Sequence, residues 1–222
     1  MQTFLYLLFG YLDVMAILAL MFKTFRWPFW EFGAKLSLIA VTLSVASYLI
    51  RMVWDIPSYD LAVQFILYVV LLRYLIKVSL FHAVDVTAVG CLAFNVIQFI
   101  VYFSLLAAGI VSAEEAQQPA GTGIFIIQVS CELCSFGIAY LLYRFHYGFS
   151  FLMKPPLDLY MSRKSSGGQL AKTVINTIGI LAISSSVYWL LNYQEYLLIL
   201  LMVILGALAI LVYLYYKKDL QD

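Results

Sequence analysis

Apolar residues run along this chain in long uninterrupted blocks, without the alternation of a strand or the single apolar stripe of a soluble helix. A window of about 19 residues resolves seven such blocks, near 4–22, 36–54, 61–76, 86–111, 123–143, 174–193 and 196–216. All but the 16-residue block 61–76 are within the length that crosses a hydrocarbon layer about 30 Å thick as a helix, and that block comes close. The pattern predicts an all-α polytopic transmembrane helix bundle of about seven spans, a single unit over residues 1–222. The first block is full length, has no basic segment before it and lacks a small-residue cleavage site, so it is expected to remain as a span.

Charge orients the bundle. With the N-terminus outside, Lys23, Arg26, Lys35, Arg73, Lys77, Arg144, Lys154, Arg163, Lys164, Lys172, Lys217 and Lys218 all fall on the inner side, and of the 13 basic residues only Arg51 falls outside. That asymmetry predicts an N-out, C-in multi-pass protein of the cell membrane. The acids Asp55, Asp60, Glu114, Glu115 and Glu195 sit in external connections. With 64% apolar and 11% charged residues among 222, a water-soluble globule is excluded. Seven spans take about 140 residues, which leaves short connections, of which 144–172 is the longest inner one. Its aromatic part, 145–160, is expected to lie along the membrane surface. Phe25-Arg26-Trp27-Pro28-Phe29-Trp30, just past the first span, reads as an interfacial anchor of rings beside cations. The net charge of +1 suits no nucleic-acid partner.

Two acids fall near the bilayer midplane, Asp13 in the first span and Glu132 in the fifth. An isolated charge there costs at least about 2.5–3.5 kcal/mol on insertion scales, so both are expected to face the bundle interior or a wet cavity. Asn95 and Gln98 in the fourth span lie at similar depth on one face, and Gln128 is one turn outside Glu132. These residues predict a polar patch built by spans one, four and five. It serves either as interhelical hydrogen-bond glue or as a ligand, ion or proton site. Arg51 either snorkels to the interface or, paired with Asp55 at i,i+4, meets an anionic ligand group at the outer mouth. Small residues at helix spacing, Ala40, Ser44 and Ser47 in the second span and Gly179, Ala182 and Ser186 in the sixth, predict close helix approach.

Catalytic and metal motifs are missing. Cys131-Glu132-Leu133-Cys134 lies mid-span with neither histidine at its depth, and His82 and Cys91 are about 13.5 Å apart along a helix, too far for a nucleophile and its base. There is no HExxH, GxSxG or P-loop. The expectation is a protein that is not an enzyme and needs no cofactor or metal.

The run LLRYLIKVSLFHA at 71–83 enters a span that carries GCLAF at 90–94 and Ile97-Gln98, and YGFSF follows the fifth span at 147–151. Over about residues 60–151 this resembles the polytopic sensor region of agr-type and ComP-type quorum-sensing receptor histidine kinases of Gram-positive bacteria. It is also similar to stand-alone membrane proteins of spore-forming bacilli. The resemblance implies recognition of a secreted peptide by outer loops and spans, with no catalysis in this segment, and it fixes no individual binding residue. Members of the receptor family continue into a kinase domain and this chain does not. The expected function is therefore a receptor-like or signalling module that senses a peptide or apolar ligand and acts through a separate kinase or other partner. The competing expectation is a small transporter, or the membrane-embedded substrate-binding subunit of an importer. A second copy of the chain is a further candidate partner, for burying Asp13 and Glu132.

Overall fold

A computed structural model describes residues 2–112, 121–150, 152, 154–155 and 197–219. The sixth apolar block, 174–193, with its small-residue stripe, lies outside the described residues, as do most of the 112–122 and 144–172 connections. All regular structure among the described residues is helical. Helix α1 spans Gln2–Thr24. A 3-10 turn at Trp30–Phe32 leads into α2, Gly33–Tyr48, which continues as a π-helical turn at Leu49–Val53. A second 3-10 turn, Pro57–Tyr59, begins with proline, where a missing N–H costs nothing. It opens α3, Asp60–Leu71, prolonged by a π-helical turn at Leu72–Ile76. Then come α4, Leu80–Ala107, α5, Thr122–Arg144, and α6, Leu197–Asp219.

Five of these stretches are long and apolar enough to cross a membrane: Thr3–Thr24, Trp30–Val53, Pro57–Ile76, Leu80–Ala107 and Thr122–Arg144. The protein is a helical membrane bundle. The fourth span starts earlier than hydropathy alone suggests, because Ser79 caps it by accepting the His82 backbone N–H. Its 28 residues reach about 42 Å, so α4 tilts or projects beyond the hydrocarbon layer.

In a solvent that offers no hydrogen bonds, the last carbonyls of each span must be satisfied by the chain itself. They are, by one device used five times. Arg26, Asp55, Lys77, Gly109 and His146 take positive φ just past the first five spans. After α1, Arg26 donates to Lys23 O and Trp27 to Phe22 O; after α4, Gly109 and Ile110 bond Leu106 and Leu105; after α5, His146 and Tyr147 bond Tyr143 and Leu142. Each is a Schellman closure. The second and third spans end on π-helical turns, and there the closing bonds reach one residue further back, Ile56 N–H to Ile50 O and Val78 N–H to Leu72 O. Four of the five left-handed residues are polar or charged, as suits a turn that emerges into headgroups.

Helix α1 is the hub, packed against α2, α4 and α5, while α4 in turn carries α3, α5 and α6. The close approaches are made by small residues. A side chain on Gly10 would meet Ser44 Oγ at 2.9 Å, and one on Gly90 would collide with the Met21 side chain. Ser44 Oγ donates to the Leu7 carbonyl at 2.8 Å, and Ala40, Ser44 and Ser47 are all buried. The exposed side chains of α6, such as Met202, Ile210 and Tyr213, leave a broad apolar face for lipid, with Ile204, Leu211 and Tyr215 turned inward.

The aromatic segment after α1 departs from expectation. Phe25 and Trp27 are 1% exposed, and Phe29 and Phe32 are buried beside them; Trp30 alone stands out, at 83%. Phe22 gathers Trp27, Phe29 and Phe32 around it with ring centroids 5.4–6.1 Å apart. Phe25 meets Phe149 and Tyr215 at 6.0 Å. These rings are therefore the packed floor of the bundle rather than an interfacial anchor, because the Schellman turn at Arg26 folds the chain back under α1. Phe149 likewise returns to α1, its N–H donating to Thr24 O at 2.7 Å, instead of lying along the membrane surface. Lys23, whose ammonium sits 4.4 Å from the Tyr143 ring centroid, marks the same end.

Replacing Gly90 by Val should lower stability by about 1–3 kcal/mol through overpacking against Met21. Gly137→Ala, where a side chain meets open space, should leave it unchanged or slightly raised. Thermal unfolding of the detergent-solubilised variants reads both; equal losses would place α1 and α4 farther apart than they stand here.

Candidate functional site

The end of the bundle opposite the aromatic floor holds a polar knot. Asp60, the first residue of α3, is 1% exposed. Its carboxylate accepts from Arg51 Nε, from Ser47 Oγ at 3.1 Å and from Gln64 Nε2 at 3.1 and 3.2 Å. Placement at a helix N-terminus favours the anion further. Arg51 itself is half exposed, at 48% of its side chain, and its Nη1 and Nη2 carry no hydrogen bond among the described residues. Ser47 also contacts the Tyr6 hydroxyl at 3.5 Å, which ties the knot to α1. Around Arg51 the turn exposes Met52, Val53, Trp54, Ile56 and Tyr59. The result is a held cation with two free donors inside an apolar, aromatic rim.

This revises the pairing expected from i,i+4 spacing. Arg51 binds Asp60 and leaves Asp55 exposed, because the π-helical turn and the left-handed Asp55 reverse the chain before a helical i,i+4 geometry can form. Asp60, expected as a wet external acid, is instead the buried centre of the knot. Its signal was present in sequence as Asp60 and Gln64 one helical turn apart, beside the lone basic residue on that side.

A second polar group lies deeper, between α1 and α5. Gln128 Nε2 donates to Asp13 Oδ2 at 3.2 Å across 115 positions of sequence. Glu132, one turn further along α5, is 6% exposed, and its Oε1 has no hydrogen-bond partner among the described residues. The same holds for the hydroxyls of Tyr68 on α3, Thr87 on α4 and Ser135 on α5, each at most 1% exposed. Tyr68 lies within electrostatic reach of Asp13, Asp60 and Cys91.

The structure thus brings Asp13, Gln128 and Glu132 to one interface and leaves the α4 residues apart from it. Asn95 spends its Nδ2 on the Cys91 carbonyl of its own helix at 2.9 Å, and Gln98 is exposed on the outside of the bundle. Three residues of spacing place them near one another on α4, but helix rotation decides which face meets α1, and Met21 against Gly90 sets that rotation. Tyr68 and Ser135 were not singled out in the sequence, since a hydroxyl in an apolar run carries no signal of its own burial. The three cysteines are free, and no group of metal-ligating side chains forms among the described residues. Comparison with protein-family models, with curated proteins and with solved structures yields no match.

Asp60→Ala should destabilise the bundle by about 2 kcal/mol, since it strips three donors of a charged acceptor while Arg51 stays partly solvated. Asp55→Ala should stay within about 0.5 kcal/mol of the parent. Unfolding in mixed detergent measures both, and a larger loss at Asp55 would contradict the Arg51–Asp60 pairing.

Proposed function

We propose that the protein is a receptor-like module of the cell membrane that senses a secreted peptide or small apolar ligand and acts through a separate partner. The observation that carries the reading is Arg51: a cation fixed by Asp60, with Nη1 and Nη2 free among the described residues, ringed by exposed apolar and aromatic side chains. An amphiphile bearing one carboxylate matches that surface, the charge on the guanidinium fork and the apolar part on Trp54, Ile56 and Tyr59. In the orientation that the basic residues predict, this surface faces outward. The resemblance of 60–151 to quorum-sensing receptor regions agrees in ligand class. A route inward follows from the same contacts. Ser47 and Ser44 hold the knot to the start of α1. The far end of α1 is gripped by the aromatic floor, beside which Trp30, Phe145 and Tyr147 stand exposed for a partner. A ligand that pulls Arg51 away from Asp60 would shift α1 against that floor.

The transport reading rests on a different observation, the part-buried Asp13 and the buried Glu132. It is weaker, because no proline interrupts a described span and both π-helical turns lie at span ends, away from the midplane. Asp13→Asn and Glu132→Gln would abolish coupled flux into proteoliposomes if it held.

The test is purification in gentle detergent from the native host, with bound small molecules and proteins identified by mass spectrometry. A carboxylate-bearing peptide or amphiphile should accompany the parent protein, and Arg51→Gln should reduce its recovery at least about tenfold, as befits loss of a charge-assisted hydrogen bond. Equal recovery from Arg51→Gln would overturn the assignment of the anchor. An ATPase and its coupling subunit as the co-purifying proteins would favour transport.

A further inference from the structure

Between α1 and α5 the protein sets the part-buried Asp13 near the buried Glu132, with too few donors for both among the described residues. Asp13 receives one hydrogen bond, from Gln128. Glu132 is within electrostatic reach of Asp13, and its Oε1 is sealed from solvent without a donor among the described residues. Arg51 feels Asp13 electrostatically, but its hydrogen bond goes to Asp60. Two carboxylates within electrostatic reach of each other in a low-dielectric interior repel, and a charge enclosed there bears a desolvation cost of several kcal/mol. Hydrogen-bond glue requires partners that are satisfied, and among the described residues Glu132 Oε1 is not. An independent element points at the same place: the Tyr68 hydroxyl on α3 is sealed and has no hydrogen-bond partner among the described residues, and it too lies within electrostatic reach of Asp13. Ser135, about one turn beyond Glu132 on α5, adds another sealed hydroxyl on the same helix face. The Gln128 amide oxygen is also uncommitted.

We infer that Asp13, Glu132 and Gln128, with the Tyr68 hydroxyl beside them, form an internal binding site for one monovalent cation, a proton or a sodium ion. The ligand atoms are hard oxygens from carboxyl, amide and hydroxyl groups, which suits these ions and not the softer transition metals. The nearby thiols, Cys91 and Cys131, are embedded among apolar neighbours, and Cys134 is turned outward. A single positive charge removes the repulsion between the two carboxyls while the net charge of the site stays small. Occupancy would then set how tightly α5 holds α1, the helix that also carries the Arg51 knot. The inference is independent of what, if anything, binds at Arg51.

Infrared difference spectroscopy of the full-length protein in lipid nanodiscs tests it, with no ligand in the sample. At constant pH, exchange of choline for sodium should abolish a protonated-carboxyl C=O band, and both Asp13→Asn and Glu132→Gln should remove that response. A band that titrates with pH yet ignores sodium, and disappears in the same two variants, assigns the site to the proton alone. Tyr68→Phe keeps both carboxyls and serves where those variants fold poorly; it should weaken the sodium or proton affinity several-fold. The site is overturned by silence to both sodium and pH, by a band that survives in Asp13→Asn and Glu132→Gln, by a response to calcium alone, or by Tyr68→Phe behaving as the parent. A receptor with a silent interior, and a responsive interior with no ligand at Arg51, are separate results.

Discussion

A bilayer offers no hydrogen bonds, and nearly every polar feature of this protein answers to that fact. Backbone carbonyls at the ends of the first five spans are closed by left-handed residues; where a span ends in a π-helical turn, the closing bond simply reaches one residue further. Serines in the second span spend their hydroxyls on α1 and on Asp60. Asp60, the most buried acid of the described residues, gathers three donors from two helices. Against that background the unsatisfied atoms around Glu132 and Tyr68 stand apart. A protein that closes even its helix ends so completely has kept a polar interior where apolar side chains would have served.

The arrangement also assigns α1 an unusual position. It has no long polar face, yet both polar groups attach to it, the knot through Tyr6 and Leu7 and the inner pair through Asp13. Its far end is locked by Phe22, Phe25 and the returning Phe149. Gly10 against Ser44 and Gly90 against Met21 let α1 approach α2 and α4 closely. Small displacements of α1 are therefore felt at both ends of the bundle, whichever site initiates them.

Hydropathy located the described spans because length and apolarity are what the membrane selects, and these are one-dimensional properties. Positions 61–76 and 123–143 needed only a few residues of correction. The site was legible only in part. Asp13, Gln128 and Glu132 announced themselves as polar interruptions of apolar runs at matching depth. Asn95 and Gln98 did the same, yet they turn away from α1, because the rotation of α4 is fixed by a glycine meeting a methionine side chain. The Arg51 pairing was misread for a local reason: a π-helical turn breaks the 3.6-residue register on which i,i+4 arguments depend. The aromatic segment was misread for a tertiary one, since a Schellman turn decides whether rings after a span face lipid or fold beneath it.

The two polar groups differ in what they can report. The Arg51 knot is internally neutralised and rimmed by apolar side chains, with Arg51 half exposed, so it can meet an outside anion, and drawing Arg51 off the buried Asp60 would leave that carboxylate short of its cation. The Asp13–Glu132 pair lies deeper in the bundle and is of one sign, which suits it to something small and positive. Tyr68 lies within electrostatic reach of both Asp13 and Asp60. A change of charge at one group must alter the field at the other, and that coupling is reciprocal by thermodynamic necessity. An anion taken up at Arg51 frees Asp60 from its partner and raises the negative potential near Tyr68, which favours a cation in the interior; loss of that cation in turn disfavours the anion. If both sites are occupied as argued, ligand affinity at the Arg51 rim must depend on sodium or pH even though neither ion touches the ligand.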